Sequence, residues 1–351
     1  MKHRLMILVC GLLGMAGSVL ADDGLRIEPF EIAANETKEV NIILDDAAEV
    51  YCGLQFDLYL PEGVEIAYDE EYQEYMCYAT SRALERSHTV LLERKEADGR
   101  AFYRFLITDL KNRTIGSGEI YTLTLTASDM ISTGPLEASF RNVVMSDENQ
   151  NGPELDKQSF EVTCQVPVNV TSLGYASFSW PRTLDFTDTG AQAYIVTEKG
   201  DGRVLMDEVK VVPAGTGIIV KADEGSYYPQ TTDATGDDVT RNLLTGTATG
   251  SYTVDADNVF VLSNLSDGQA GLYVADSGVT VAQYKAYLKL SSQDGAKNGA
   301  FAFDTTAAGI GLLTAPTSSD GMFTLGGQRV ERIDGLQKGI YIVNGKKVRM
   351  Q

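Results

Sequence analysis

Histidine is almost missing from this 351-residue chain, which contains only His3 and His88. Catalysis by an activated serine or cysteine needs a base held beside the nucleophile, and a zinc site needs several closely spaced ligands. No GxSxG elbow accompanies His88, so we interpret it as a surface or strand-edge histidine. The sequence therefore predicts no catalytic centre of this kind, no zinc site and no cofactor.

Cysteine is also scarce, with Cys10, Cys52, Cys77 and Cys164 as the only four. The last three allow a single disulfide with one thiol left over. A Cys52–Cys77 bridge would close a loop of about 25 residues and contribute roughly 3 kcal/mol in the chain-entropy model. Cys52 and Cys164 both fall at core-facing positions of the alternation, so a Cys52–Cys164 disulfide is an alternative. Three buried free thiols are the remaining alternative.

Only one long hydrophobic run is present, from Leu5 to about Leu20. It follows a basic segment at 2–4 and ends in Ala21, which is the pattern of a cleaved secretory signal. We predict a signal peptide at 1–21, with a lipid anchor at Cys10 as the alternative. Because no later run is long enough to cross a bilayer, we expect no transmembrane segment in the mature chain and a secreted or outer-membrane surface location.

Positive charge is in short supply as well, since the formal net charge of the whole chain is −20. Without Lys2 and Arg4, 27 basic residues remain against 49 acidic ones, which gives −22. Such a surface repels phosphates and anionic headgroups, so we expect neither nucleic acid nor a membrane surface as a partner. Neutral glycans, calcium or a basic protein partner remain compatible with it.

Apolar residues make up 43% of the chain, and most of them alternate with polar residues. The clearest alternation spans 50–60, 121–127 and 160–166, with turns rich in glycine, asparagine and aspartate between the segments. Period-2 alternation predicts short strands with one buried face. We therefore predict an all-β fold with two β-sandwich or jelly-roll-like domains, at 22–166 and 167–305.

The C-terminal part differs from the rest. Small and polar residues at 306–320 predict a linker, and residues 321–351 carry six basic residues against two acidic ones. In that last segment, Ile340–Val343 and Lys346–Met350 flank Asn344-Gly345, a pair that favours a type I′ hairpin turn. We predict a small C-terminal β tail there.

One tyrosine-rich segment breaks the strand pattern. Tyr68, Tyr72 and Tyr75 fall at i, i+4 and i+7, which predicts one face of a short helix. Tyr72, Tyr75 and Tyr78 are candidate ligand-binding residues, because an aromatic ring stacks on the apolar face of a sugar. Packing of the same face against the sandwich is the alternative.

A second candidate site is a possible calcium loop. Asp147, Asn149, Asn151 and Gly152 fit D-x-N-x-N-G, in which oxygen ligands converge around a sharp turn. The twelfth position is Gln158 and not a bidentate glutamate. A loop between two strands is therefore the alternative to a Ca²⁺ site.

Three segments of the first domain carry a family resemblance: GLQFDLYLPEGVEI at 53–66, SRALERSHTV at 81–90 and GSGEIYTLTLTA at 116–127. This domain resembles the cohesin-like β-sandwich modules of secreted bacterial proteins. The resemblance implies a nine-strand jelly-roll sandwich that binds a dockerin partner or a polysaccharide.

Two further resemblances concern the rest of the chain. Residues 191–222, NLLTGT at 242–247 and YKAYLKL at 284–290 are similar to an uncharacterised β module of secreted Bacteroides-group proteins. The segment GIYIVNGKKV at 339–348 resembles the C-terminal sorting domain of the type IX secretion system, which implies an export or surface-attachment signal.

These observations leave three functional hypotheses. The first is a non-catalytic binding protein that recognises a polysaccharide or a surface protein. The second is a structural or adhesive surface component that works through strand contacts. The third is a polysaccharide hydrolase, whose paired carboxylates would come from acidic runs such as Asp45-Asp46, Asp69–Glu71 and Asp237-Asp238.

Overall fold

The computed structural model describes residues 23–255, 258–264, 270–291, 296 and 299–304, together with four strands between 322 and 350. The predicted signal peptide at 1–21 and the predicted linker at 306–320 lie outside the described residues. The described part is built almost entirely of strands, with one six-residue helix, α1 (Arg82–Ser87), which confirms the all-β class. No helix of this part is long and apolar enough to cross a bilayer. The chain forms two compact units that divide between Thr305 and Thr306.

Thirteen strands, of which eleven form a sandwich of two sheets, lie at the start of the first unit. They are β1 (Gly24–Arg26), β2 (Phe30–Ala33), β3 (Thr37–Asp45), β4 (Gly53–Tyr59), β5 (Val64–Ile66), β6 (Tyr68–Asp69), β7 (Glu74–Tyr75), β8 (Cys77–Ala79), β9 (Thr89–Ala97), β10 (Arg100–Thr108), β11 (Gly118–Ala127), β12 (Gly134–Ser146) and β13 (Glu154–Gln165). One sheet has the order β1-β3-β11-β5, with β8 also on β11, and the other has the order β2-β13-β12-β4-β10-β9.

The alternation predicted from the sequence sets the core of this sandwich. In β4, Leu54, Phe56 and Leu58 are buried, while the residues between them reach the other face of the sheet. Phe56 stacks on Phe105 of β10, with 4.5 Å between the ring centroids, and meets the edge of Phe140 of β12 at 5.3 Å. Burial of each such side chain contributes roughly 1.5–3 kcal/mol, so this aromatic centre is a main source of stability.

The predicted helix with Tyr68, Tyr72 and Tyr75 on one face is wrong. Strands β6 and β7 form a hairpin there, in which Tyr68 pairs with Tyr75. The Asp69 side chain accepts hydrogen bonds from the backbone N–H groups of Glu71 and Tyr72, and Gln73 has a positive φ of 56°. An aspartate that closes a turn and a left-handed residue both interrupt helical geometry, so the tyrosine spacing arises from a turn.

Sixteen strands form the second part of the first unit. They are β14 (Val168–Val170), β15 (Tyr175–Phe178), β16 (Leu184–Asp185), β17 (Gln192–Gly200), β18 (Arg203–Val209), β19 (Val211–Val212), β20 (Ile218–Lys221), β21 (Gly225–Tyr227), β22 (Gln230–Thr231), β23 (Leu244–Gly246), β24 (Tyr252–Thr253), β25 (Val259–Asn264), β26 (Ala270–Val274), β27 (Thr280–Val281), β28 (Ala286–Lys289) and β29 (Ala300–Asp304).

Nine of these strands form one sheet in the order β15-β20-β17-β18-β29-β26-β25-β28-β23. The sheet curls until its last strand returns to its beginning, where Thr245 of β23 bridges to Thr216, just before β20. Phe260, Leu272 and Phe301 are fully buried in the apolar cluster enclosed by this curl. The two parts of the unit share a continuous core as well, because Val166 and Val168 join the cluster that contains Phe178 and Trp180.

The second unit contains four strands, β30 (Met322–Thr324), β31 (Arg329–Val330), β32 (Gly339–Val343) and β33 (Lys346–Met350). They form a sheet in the order β31-β30-β32-β33. In the predicted hairpin, β32 and β33 are antiparallel and Val343 pairs with Lys346.

Candidate functional site

A row of arginines and aromatic rings covers the outer face of the six-stranded sheet. We call this surface the arginine–aromatic face and define it by Tyr59 of β4, Arg100, Phe102 and Arg104 of β10, and Arg141 of β12. In β10, alternation points Arg100, Phe102 and Arg104 outward while Tyr103 and Phe105 enter the core. Asp57 of β4 pairs with Arg104 on one side and with Arg141 on the other. It lies two residues before Tyr59, and therefore on the same face of the strand.

The rings of Tyr59 and Phe102 form the centre of this face. They stack with centroids 5.0 Å apart and an interplanar angle of 17°. The Arg141 guanidinium lies 4.5 Å from the Tyr59 centroid and that of Arg100 lies 5.4 Å from it. Arg104 lies 5.6 Å from the Phe102 centroid. Cation–π contacts at these distances hold the guanidinium groups against the sheet. The N–H groups of Arg100 and the Nη groups of Arg141 remain for other acceptors, whereas Nε and Nη2 of Arg104 and Nε of Arg141 donate within the protein.

Asp57 anchors the face from below. It is 1% exposed, and its carboxylate accepts two hydrogen bonds of 2.7 Å from Nε and Nη2 of Arg104. Asn142 donates a third at 2.7 Å. Asn142 lies in a β-bulge and has a positive φ of 50°, so the bulge turns its side chain towards Asp57. Burial raises the pKa of Asp57, but the bonds from Arg104 and Asn142 outweigh it and the pKa lies below the usual range.

An exposed apolar pair continues this face towards the edge of the sheet. Leu106 of β10 lies directly opposite Leu91 of β9, and they are 36% and 58% exposed. The surface therefore combines guanidinium groups, aromatic rings and two leucines, while the chain as a whole has a net charge of −20. This site was not predicted from the sequence. Its signal is R-x-F-x-R-x-L at 100–106, the outward phase of a strand that was recognised only by its buried residues.

Of the three tyrosines predicted to bind a sugar, one packs against other rings and two are exposed. Tyr75 meets the edges of Tyr68 and Tyr103, with centroids 4.9 and 5.3 Å away. Tyr72 and Tyr78 are 69% and 48% exposed, and Tyr78 pairs with Thr122 in the other sheet. The structure therefore gives Tyr75 a packing role and leaves the sugar-stacking role of Tyr72 and Tyr78 as a prediction.

The possible calcium loop is closed by its own donors. Oδ1 of Asp147 accepts hydrogen bonds of 2.8 Å from the backbone N–H groups of Asn149 and Asn151, and these bonds lower the pKa of Asp147. Among the described residues, no group of three or more His, Cys, Asp or Glu side chains could hold a metal ion. The bonds within the loop hold a turn between β12 and β13, and the role of Asp147, Asn149 and Asn151 as calcium ligands stays a prediction.

The predicted Cys52–Cys77 disulfide is absent, since Cys52, Cys77 and Cys164 are free thiols. Cys52 lies just before β4, where its Sγ donates to the carbonyl of Ser146, whereas Cys77 lies on β8 of the other sheet. Cys164 pairs with Gly134, at the end of β12 opposite Ser146, so the alternative Cys52–Cys164 bridge is also ruled out. Burial raises the pKa of Cys77 to about 12 and that of Cys164 to about 11.

His88 is buried, with 6% of its surface exposed, so the prediction of a surface or strand-edge position is wrong. It caps the end of α1, where its backbone N–H donates to the carbonyl of Leu84. Its Nδ1 lies 2.7 Å from Oγ of Ser87, whose hydroxyl also lies 2.7 Å from the carbonyl oxygen of Ala83. Burial lowers the pKa of His88. These contacts give His88 a structural role at the end of the helix.

Comparisons with known proteins give similar solved structures and no family. No family model matches the chain, and no curated protein matches it. Among solved structures, the chain is similar to CaCohA2 from Clostridium acetobutylicum, with 14% identity, a TM-score of 0.32, and coverage of 40% of this chain and 88% of that one.

Two other solved structures give a similar result. A cohesin module of a family 33 glycoside hydrolase from Clostridium perfringens has 15% identity, a TM-score of 0.30, and coverage of 41% and 95%. A non-cellulosomal cohesin from the archaeon Archaeoglobus fulgidus has 14% identity, a TM-score of 0.30, and coverage of 41% and 92%. At these TM-scores, the similarity carries no conclusion about the activity or the partner of this chain.

Proposed function

We propose that this chain is a secreted or cell-surface, non-catalytic binding protein that docks a protein partner through its arginine–aromatic face. The observation that carries the proposal is the arrangement of Arg100, Arg104 and Arg141 around the stacked rings of Tyr59 and Phe102. Ring contacts of all three arginines and the ion pair of Arg104 with Asp57 hold these long side chains in place before a partner arrives. Less conformational entropy is therefore lost on binding.

The chemistry of the face favours a partner with carboxylates around an apolar side chain. Planar guanidinium groups bind carboxylates through two parallel hydrogen bonds, and arginine and tyrosine are enriched among the residues that dominate protein interfaces. Leu91 and Leu106 supply an apolar contact at one end of the same surface. Because the whole chain has a net charge of −20, the attraction to carboxylates is local, and it comes from Arg100 and Arg141, whereas Arg104 is already paired with Asp57.

The bonding of the acidic groups supports a non-catalytic role. Asp57 is held by three hydrogen bonds from Arg104 and Asn142, and Asp147 is held by its own loop. A general acid or base must be able to exchange a proton with a substrate, and these carboxylates are already committed to neighbouring donors. The ring of the buried His88 contacts Oγ of Ser87 through Nδ1, at the end of α1.

A polysaccharide is the second candidate partner, and the observation that favours it is the exposure of Tyr72 and Tyr78. Exposed aromatic rings provide stacking surfaces for sugars. The two candidates use different surfaces of the first sandwich, so substitutions can separate them.

The experiment is capture of partners from the surface fraction of the producing cells, in parallel with a glycan array. We expect the intact mature chain to retain a protein, and the double variant Arg100→Glu/Arg141→Glu to lose it. The matched control is Arg82→Glu/Lys210→Glu, which reverses two exposed charges elsewhere and should retain the partner. Glycan binding that is lost in Tyr72→Ala/Tyr78→Ala but unaffected by the arginine changes would favour the polysaccharide. Turnover of a polysaccharide by the purified protein would refute the non-catalytic role.

A further inference from the structure

A groove runs along the free edge of β15 in the second part of the first unit. Strand β15 is the first strand of the nine-stranded sheet and pairs with β20. Two adjoining cavities of about 200 and 390 Å³ lie beside it and share Asn169, Ala176, Ser177 and Lys285 as lining residues. We call this surface the junction groove, because the turn at Ala34 and Asn35 of the first sandwich also lines it. The larger cavity already falls within the range of roughly 300–1,000 Å³ that is typical of ligand sites.

Aromatic rings lie at both ends of the junction groove. Tyr284 and Trp180 line the smaller cavity, with ring centroids 4.6 Å apart, and Phe178 stacks on Trp180 from 5.8 Å. Tyr175 lines the larger cavity. The Tyr284 ring is half-buried, and it is fixed in place because its hydroxyl donates to the Asp129 carboxylate at 3.0 Å. A fixed, half-exposed ring is a stacking surface that loses little entropy when a ligand binds.

Amide and hydroxyl groups lie between these rings. The Asn169 side chain is exposed, and its oxygen accepts a hydrogen bond of 2.7 Å from Ser226, so its NH₂ group remains as the donor. Asn35 and Ser177 contribute further polar atoms. The indole N–H of Trp180 has no acceptor among the described residues. Aromatic walls with a few hydrogen-bonding groups are the chemistry with which proteins bind sugars.

The small number of charged groups in the junction groove favours a neutral ligand. Among the described residues that line the two cavities, none is an aspartate or a glutamate, although the chain has 49 acidic residues. Lys285 is the single charged residue of that described lining. A cationic ligand would find no counter-charge here, whereas a neutral one needs none.

The geometry of β15 argues against an added peptide strand. The strand has only four residues, and directly after it the backbone N–H of Ser179 donates to the carbonyl of Tyr284. Oγ of Ser179 donates to the carbonyl of Lys285 at 2.9 Å. Because these bonds end the free edge directly after β15, an extended peptide could make too few main-chain hydrogen bonds for strand addition.

We propose that the junction groove is a second binding site, specific for a neutral oligosaccharide of about two or three residues. Its rings stack on the sugars, and Asn169, Asn35 and Ser177 bond the hydroxyl groups. This site is independent of the arginine–aromatic face. Loss of partner binding there would leave the sugar site intact, and loss of the sugar site would leave the partner bound.

The chain's single tryptophan makes the test direct, since Trp180 lines the groove and is 5% exposed. The mature protein is titrated with maltotriose, cellotriose, mannotriose and triacetylchitotriose, while Trp180 emission is recorded and calorimetry gives the affinity. We expect at least one of these trisaccharides to give a saturable change. Asn169→Ala and Tyr284→Leu should weaken that binding by about tenfold or more, because they remove a hydrogen bond and a stacking ring. Tyr284→Phe keeps the ring but loses the bond to Asp129, so it should weaken binding less than Tyr284→Leu does.

Asn149→Ala is the matched control, because Asn149 is an exposed asparagine in the turn between β12 and β13. It should leave the affinity unchanged. If Tyr284→Leu does not fold, Asn169→Ala still decides the question. The proposal is overturned if none of the four trisaccharides gives a saturable signal up to millimolar concentration, or if binding persists unchanged in Asn169→Ala.

Discussion

The hydroxyl of Tyr284 donates a hydrogen bond of 3.0 Å to the carboxylate of Asp129, which joins the second part of the first unit to the first sandwich. Arg182 adds a second link, since its guanidinium donates to the carbonyl of Met130 and to Oγ of Ser132. Because the apolar core is also continuous across this junction, we expect the two parts to unfold together.

The substitution Tyr284→Phe tests this link. It keeps the ring against Trp180 and removes only the hydroxyl, so the Asp129 carboxylate loses a donor. We expect the free energy of unfolding to fall by about 1–2 kcal/mol, measured by urea unfolding. Tyr228→Phe, at a tyrosine that is 42% exposed, is the control and should change little. Equal stability of the two variants would show that the hydrogen bond does not stabilise the junction.

Asp57 and Glu93 provide a comparison of a buried with an exposed ion pair. Asp57→Asn breaks the paired contact with Arg104 under the aromatic rings, and we expect a loss of about 1–3 kcal/mol. Glu93→Gln removes the surface contact with Lys95 and should cost much less, because an exposed ion pair contributes little to stability. Thermal unfolding of both variants measures the difference. A loss in Glu93→Gln as large as that in Asp57→Asn would contradict the anchoring role of Asp57.

The pH dependence of stability isolates His88, because it is the single histidine that follows the predicted signal peptide. Burial lowers its pKa in the folded state below the ordinary value of 6.5. The unfolded chain therefore takes up the proton first as the pH falls, so the free energy of unfolding should decrease from pH 7.5 towards pH 5. In His88→Gln this part of the slope should flatten. An identical slope in the variant would mean that His88 does not control stability over this range.

The three thiols can be counted by alkylation. Burial raises the pKa of Cys77 to about 12 and that of Cys164 to about 11, so little thiolate is present at pH 8. We expect iodoacetamide to leave the native mature protein unmodified and to add three groups after unfolding without reductant, as measured by mass spectrometry. One added group in place of three would reveal a disulfide and restore the predicted Cys52–Cys77 pairing or its alternative.

The sequence predicts the strands well where one face of a sheet is buried. The alternation in 50–60 and 121–127 corresponds to β4 and β11, because period-2 burial is a local property of the chain. The tyrosine spacing at 68–75 was misleading, since three rings at helical intervals also occur when a turn closed by Asp69 brings Tyr68 opposite Tyr75.

The arginine–aromatic face could not be predicted from any short stretch of the sequence, because its residues come from different strands. Arg104 and Arg141 are far apart in sequence, and they meet around Asp57 only because β10 and β12 both pair with β4. Strand order is a long-range property that no short window contains. The burial of His88 depends in the same way on the elements that cover the end of α1, and its immediate neighbours in the sequence do not reveal it.

Hydroxyl-radical footprinting of the chain with and without its captured protein partner tests the main proposal most directly. The method reports the solvent access of side chains, and Tyr59, Leu91 and Leu106 lie on or beside the arginine–aromatic face. We predict that these three lose reactivity when the partner binds, while Tyr72 and Tyr78 keep theirs. Protection of Tyr72 and Tyr78, with Leu91 and Leu106 unchanged, would contradict the proposed docking surface.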